Sequence, residues 1–238
     1  MSSVHAGKVA LVTGCARGLG LQLAQDLGAS GAKISGCDLR ADLLATAMAR
    51  VSREHGVETM ATPVDLKEEA QIIGWVRRTV EKFGQIDYLI NNAGVRETAP
   101  VWETDTAMWD RIQAVNLRAQ YLCVREVLNA GMLQRNCGAI VNISSGSGKF
   151  GQQQCSAYCA SKWGILGFTE SIAKDLKETR IRVTAVTPGM IATPMLMEVA
   201  PQCDWFHPRE VSQVILSYLA QGPDTVIPEI RIYHRNQL

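Results

Sequence analysis

The stretch Val9-Ala10-Leu11-Val12-Thr13-Gly14-Cys15-Ala16-Arg17-Gly18-Leu19-Gly20 decides how the rest of the chain is read. Residues 9–13 are apolar or β-branched without interruption, as expected of a strand covered on both faces. They give way to glycines spaced Gly-x-x-x-Gly-x-Gly and then to a helical pattern over 18–30. Glycine lets backbone approach a diphosphate closely, and free N–H groups at a helix start carry partial positive charge. Strand, glycine turn and helix in that order form a cradle for a dinucleotide. The spacing departs from the more general Gly-x-Gly-x-x-Gly, so a turn that binds nothing is the competing reading.

Outward from this unit the same alternation repeats. Strand candidates lie at 33–37, 59–65, 87–91, 139–143 and 182–186, and helix candidates at 18–30, 41–54, 67–83, 106–135 and 156–179, the fourth long enough for two helices. Such βαβα order implies an open parallel sheet with helices on both faces. No Pro/Gly/Ser-rich linker divides it, so residues 1–238 are expected to form one doubly wound, Rossmann-type α/β domain. The stretch from Pro188 to Pro208 lacks periodicity and is a candidate substrate loop.

Composition narrows the function. With 24 Lys and Arg against 23 Asp and Glu, a net charge of +1 supplies no field to gather nucleic acid or an anionic membrane. No apolar run spans a bilayer and no signal peptide opens the chain, so a cytoplasmic protein with a small-molecule partner is expected. Seven scattered cysteines without a C-x-x-C pair support neither a disulfide framework nor a metal site.

Asp38 closes the second strand, where a carboxylate can accept hydrogen bonds from both adenosine ribose hydroxyls and would repel a 2'-phosphate. This favours NAD over NADP, although Arg17 and Arg40 stand near enough to offset the repulsion. Asp65 either reaches the adenine amino group or caps the next helix. Tyr158 and Lys162, four apart, share a helix face, so the ammonium can act on the phenol. A phenol near pKa 10 needs roughly 4 kcal/mol of phenolate stabilisation to titrate near 7. So activated, Tyr158 can exchange a proton with an alcohol or ketone oxygen while hydride moves to or from a nicotinamide. Ser145 ends the strand at 139–143, where its hydroxyl can bind the substrate oxygen. The Asn91-Asn92-Ala93-Gly94 turn and Asn116, an awkward residue inside a helix, complete the set.

In combination these residues resemble the short-chain dehydrogenases/reductases, in particular the 3-oxoacyl-carrier-protein reductase type, over nearly the whole chain. The resemblance rests on Thr13-Gly14-x-x-x-Gly18-x-Gly20, residues 91–94, Asn116, Ser145, Tyr158-x-x-x-Lys162, and Pro188-Gly189 followed by Thr193. It implies Tyr158 as general acid/base, Lys162 lowering its pKa and binding nicotinamide ribose, Ser145 positioning substrate, and Asn116 maintaining a water relay with Lys162. It implies cofactor contacts at Gly14, Arg17, Gly18, Leu19, Asp38, Asp65, Asn92, Pro188 and Thr193, and a homotetramer built partly through the helices at 106–135 and 156–179. One departure concerns the end of the chain. Pro228 cannot donate to a sheet ladder, so the last strand, within 226–233, is expected to start there or lie at an edge.

The loop residues Met190, Ile191, Met195, Leu196, Met197, Val199, Trp205 and Phe206 suit an apolar group, and with no basic cluster among them a neutral or partly apolar carbonyl/alcohol is expected. Arg96 and Lys149 lie near the expected mouth. The competing class, a nucleotide sensor or scaffold without turnover, has no need of Asn116, Ser145, Tyr158 and Lys162 together.

Overall fold

The computed structural model describes residues 4–197 and 206–235. Seven strands form one sheet: β1 (Val9–Thr13), β2 (Lys33–Asp38), β3 (Thr59–Pro63), β4 (Tyr88–Asn91), β5 (Gly138–Ile143), β6 (Ile181–Pro188) and β7 (Glu229–Ile232). Their order is β3-β2-β1-β4-β5-β6-β7, with every pairing parallel. The order reverses between β1 and β4, which opens a crevice at the carboxyl ends of the strands.

The uninterrupted apolar strands follow from cover on both faces. In β1, Ala10 and Val12 belong to one buried cluster and Val9 and Leu11 to another, as the two-residue pleat requires. The first cluster takes in α1 (Gly18–Ala29), α2 (Ala41–His55) and α9 (Pro208–Leu219), and the second α3 (Glu69–Phe83) and α5 (Ala119–Val127). Both layers are dry: Leu23, Leu27, Ile34, Leu89, Ile140 and Trp75 are each fully buried.

The region at 106–135 is a broken helix. Asp105 caps α4 (Thr106–Gln113) by accepting from the Met108 N–H at 2.7 Å. A π turn at Ala114–Arg118 leads into α5, and a second at Leu128–Met132 contains Gly131 at φ 116 before α6 (Leu133–Arg135). The helix α7 runs Ser156–Asp175, stopping short of 179.

Two elements after β6 escape the sequence pattern. The expected loop from 188 contains a bridge between Ile191 and Phe206 and a single turn, α8 (Pro194–Met197), while Val199 and Trp205 lie outside the described residues. Then comes α9, whose start is hidden because the capping side chain is His207, which accepts from the Arg209 N–H while Glu210 accepts from the His207 N–H. At its other end, buried Arg182 of β6 donates to the Tyr218 and Leu219 carbonyls at 2.8 and 3.1 Å. The last strand is an edge strand beginning directly after Pro228, whose carbonyl accepts from Ala185 N–H at 3.1 Å. Among the described residues no helix is long and apolar enough to cross a membrane.

Candidate active site

A cavity of about 840 Å³ lies across the carboxyl ends of the strands, lined from β1, β2, β4, β5 and β6 and by the segment after β6. Every residue singled out from the sequence for cofactor binding or catalysis lines it except Asn116.

The phosphate end is built on the turn between β1 and α1. A Cβ on Gly20 would sit 2.2 Å from the Gly14 carbonyl oxygen and 2.6 Å from Asn92 Nδ2, so only glycine fits. Thr13 fastens this turn to the next one: its Oγ1 accepts from the Asn92 and Ala93 N–H groups, both at 2.9 Å, and Asn92 Nδ2 donates to the Thr13 carbonyl at 2.9 Å. Thr13 was quoted in the sequence motif without a role; its position at the end of an apolar strand, one residue before the first glycine, is the signal for it. No side chain caps the first turn of α1, and Arg17, Gly18 and Leu19 face the cavity, so that helix start is open to an anion.

Asp38 sits at the end of β2, buried, accepting from Ala16 N–H at 3.2 Å and bound in a fork by Arg40 Nε and Nη2 at 2.9 and 3.1 Å. Burial pushes its carboxyl up, but the Arg40 and Ala16 hydrogen bonds outweigh this and hold it below the usual carboxylate range. Asp65 lies two residues beyond β3 with Lys67 Nζ at 3.3 Å. Its Oδ1 also accepts from the Lys67 N–H, so within the chain it does the work of an Asx turn, while still lining the cavity. An open helix start, a glycine cradle and a carboxylate at the end of β2 fit the diphosphate and ribose of a nicotinamide dinucleotide.

At the other end Ser145, Tyr158 and Lys162 converge. Ser144 points away, its hydroxyl donating to the Lys162 carbonyl at 2.8 Å, which fixes the loop after β5 onto α7. Ser145 Oγ accepts from the Ser147 N–H at 3.2 Å and donates to Ser147 Oγ at 3.4 Å, beside the Tyr158 phenol. Burial pushes the phenol above its ordinary value, with the nearby Ser145 hydroxyl and the positive charge of Arg96 opposing. No hydrogen bond joins the Lys162 ammonium to the phenol oxygen. The ammonium lies 5.7 Å from the centre of the Tyr158 ring and donates to the Ile143 carbonyl at 3.0 Å, and burial brings its pKa down to about 8.

Asn116 lies behind the cavity wall, fully buried in the first π turn, a geometry found frequently at functional sites. Its Oδ1 accepts from the Val95 N–H at 2.8 Å, and its Nδ2 donates to the Val95 carbonyl at 2.9 Å and to Ser161 Oγ at 3.0 Å. It thus braces the segment that follows Gly94 against α7. A Cβ on Gly94 would come within 3.3 Å of Asn116 Oδ1 and 3.6 Å of Lys162 Nζ, so both polar groups crowd the face of that glycine where a side chain would stand.

A family profile described as short chain dehydrogenase matches residues 8–204. The chain belongs to that family. A putative ketoacyl reductase of Streptomyces coelicolor is 38% identical over 193 residues, covering 81% of this chain and 74% of that protein. A 2-dehydro-3-deoxy-L-rhamnonate dehydrogenase (NAD(+)) of a Sphingomonas species is 36% identical, covering 81% and 75%. Among solved structures, a variant of actinorhodin polyketide ketoreductase with NADPH superposes with a TM-score of 0.90 at 31% identity over 98% of both chains. This short-chain dehydrogenase/reductase is therefore an oxidoreductase of carbonyl and alcohol groups that uses a nicotinamide cofactor.

Proposed function

We propose that this enzyme transfers hydride reversibly between NAD(H) and a secondary alcohol or ketone, with Tyr158 as general acid/base. The observation that carries the reading is the convergence of Ser145, Tyr158 and buried Lys162 on one cavity whose lining also holds Asp38 and the glycine cradle. The nicotinamide, when bound, supplies or accepts the hydride.

Ser145 Oγ holds the substrate oxygen and Tyr158 Oη donates the proton that a ketone oxygen needs as it becomes an alkoxide. A phenol raised by burial is protonated at neutral pH, which suits the reduction direction. In oxidation the buried Lys162 ammonium, with the cationic cofactor, favours the phenolate. Asn116, by bracing Val95 and Ser161, holds the wall against which Lys162 lies.

Asp38 is the basis for preferring NAD, since its carboxylate is kept ionised and would face a 2'-phosphate. Arg40 neutralises much of that charge, so NADPH is a slower alternative substrate rather than an excluded one. Arg17, Leu19, Asn92, Pro188 and Thr193 complete the cofactor wall, and the segment after β6 that carries Met190 and Met195 covers the substrate. The active form is a homotetramer.

The test is the initial rate of NADH and NADPH consumption against a carbonyl panel of acyl thioester, sugar ketone, steroid ketone, diketone and aromatic ketone, repeated with Tyr158→Phe. Turnover that the variant lowers by about 10²–10⁴-fold while NADH still binds supports the reading. Full activity in the variant removes Tyr158 from the mechanism, and NADH binding without any turnover points to the sensor class.

A further inference from the structure

The substrate half of the cavity contains a guanidinium that the mechanism leaves unused. Arg96 follows the turn after β4, is half-buried, and lines the cavity beside Tyr158. Its Nη2 donates to the buried Cys155 thiol at 3.3 Å. A thiol is a weak acceptor, and no carboxylate pairs with Arg96 among the described residues. Several other basic side chains on or near this wall are matched. Arg40 is held by Asp38, Lys67 by Asp65, Arg111 by Glu97, and Lys149 by Glu229 at 2.8 Å. The Lys149 pairing removes the second cation that the sequence placed at the mouth.

A cation that is taken partly out of water without an anion costs free energy that a ligand carboxylate would return, and a guanidinium fits a carboxylate with two parallel hydrogen bonds. Arg96 and Tyr158 both line one cavity and the Arg96 charge acts on the Tyr158 phenol, so the interval between them is one that a single small ligand can span. A short oxo acid bridges that interval. The lining also includes the apolar side chains Phe150, Met190 and Met195 and the Tyr233 ring.

We propose that Arg96 anchors the carboxylate of the substrate, and that the substrate is a 2- or 3-oxo acid, or the corresponding hydroxy acid, with an apolar tail. This replaces the neutral carbonyl expected from the sequence and rests on the nicotinamide oxidoreductase reading above. The test compares 2-oxohexanoate and 3-oxohexanoate with their methyl esters, measuring NADH oxidation and binding to the enzyme–NADH complex by the change in NADH fluorescence. The readout is the ratio of kcat/KM for acid over ester, from which a general loss of fold or of Tyr158 acidity cancels. Wild type is expected to favour one of the acids, Arg96→Gln to lower the ratio by about 10–100-fold, and Arg96→Lys to restore part of it. An ester handled as well as its acid by wild type, a ratio unmoved by Arg96→Gln, or a complex that binds neither acid while reducing a neutral ketone overturns the proposal. Failure of NADH to bind at all would overturn the oxidoreductase reading together with it, which separates the two failures.

Discussion

Lys162 is 4% exposed and donates a hydrogen bond only to the Ile143 carbonyl, so the chain itself contributes no counter-ion to its ammonium. Its pKa in the folded enzyme is about 8 against an ordinary value of 10.5. Between those values the unfolded chain binds a proton that the folded chain has released, so stability rises with pH across the window. Replacing Lys162 by Met removes that dependence. The difference in unfolding free energy between wild type and Lys162→Met, followed by denaturant titration, is expected to shift in favour of wild type by about 3 kcal/mol from pH 8 to 10.5. A constant difference would mean that the ammonium is solvated. The identity of this residue was legible from its spacing to Tyr158, but the direction of its side chain was not. An i,i+4 offset fixes a shared face, while the choice between phenol and carbonyl depends on β5, far away in sequence. Asp38 shows the same limit: its place at a strand end was legible, its fork with Arg40 was not.

Strands and helices that bury both faces or one clear stripe were readable, because burial writes a period into the sequence. The element that was not read, α9, has such a stripe in Val211, Ile215, Tyr218 and Leu219, but its start lacks the usual Ser, Thr, Asp or Asn. What holds it down is long-range. Arg182 is buried on β6, donates to two carbonyls at the end of α9 and stacks on the Tyr218 ring at 4.9 Å. A cation at a helix C-terminus that also satisfies its last carbonyls is a favourable pairing with the helix dipole. Arg182→Met leaves those carbonyls unpaired and is expected to cost about 2–3 kcal/mol, roughly 4–12 °C in Tm, measured by calorimetry on the apoenzyme. An unchanged Tm would show that water replaces the guanidinium and that apolar contact alone docks α9. The π turn holding Asn116 was equally hidden: the sequence marks Asn116 as a poor helix former, but the Val95 and Ser161 partners of its side chain come from segments far away in sequence.

At the scale of the molecule, alternating strands and helices were enough to specify a doubly wound sheet, since parallel strands need long crossovers and those crossovers are right-handed. Assembly is a different matter, because one chain shows only what it leaves uncovered. On α7 the outward stripe Ala160, Trp163 and Gly167 continues to Ser171, with Trp163 51% exposed, and Trp109 of α4 and Tyr121 of α5 are exposed as well. A Cβ on Gly167 would meet nothing within 4 Å, so the chain's own packing does not require a small residue there. Small residues beside an exposed Trp let a second helix approach closely, and an apolar face of this kind is what a partner subunit covers. The homotetramer proposed above therefore predicts a sedimentation mass four times the 26.0 kDa of the chain at micromolar concentration. The double variant Ala160→Arg, Gly167→Arg, which changes only outward positions of α7, is expected to sediment as a smaller species with its circular dichroism unchanged. A monomeric wild type would remove the tetramer, and a double variant that stays tetrameric would move the interface off α7. If α7 is the interface, dissociation also loosens the helix that carries Tyr158 and Lys162, so the variant's turnover should fall with dilution in parallel with its mass.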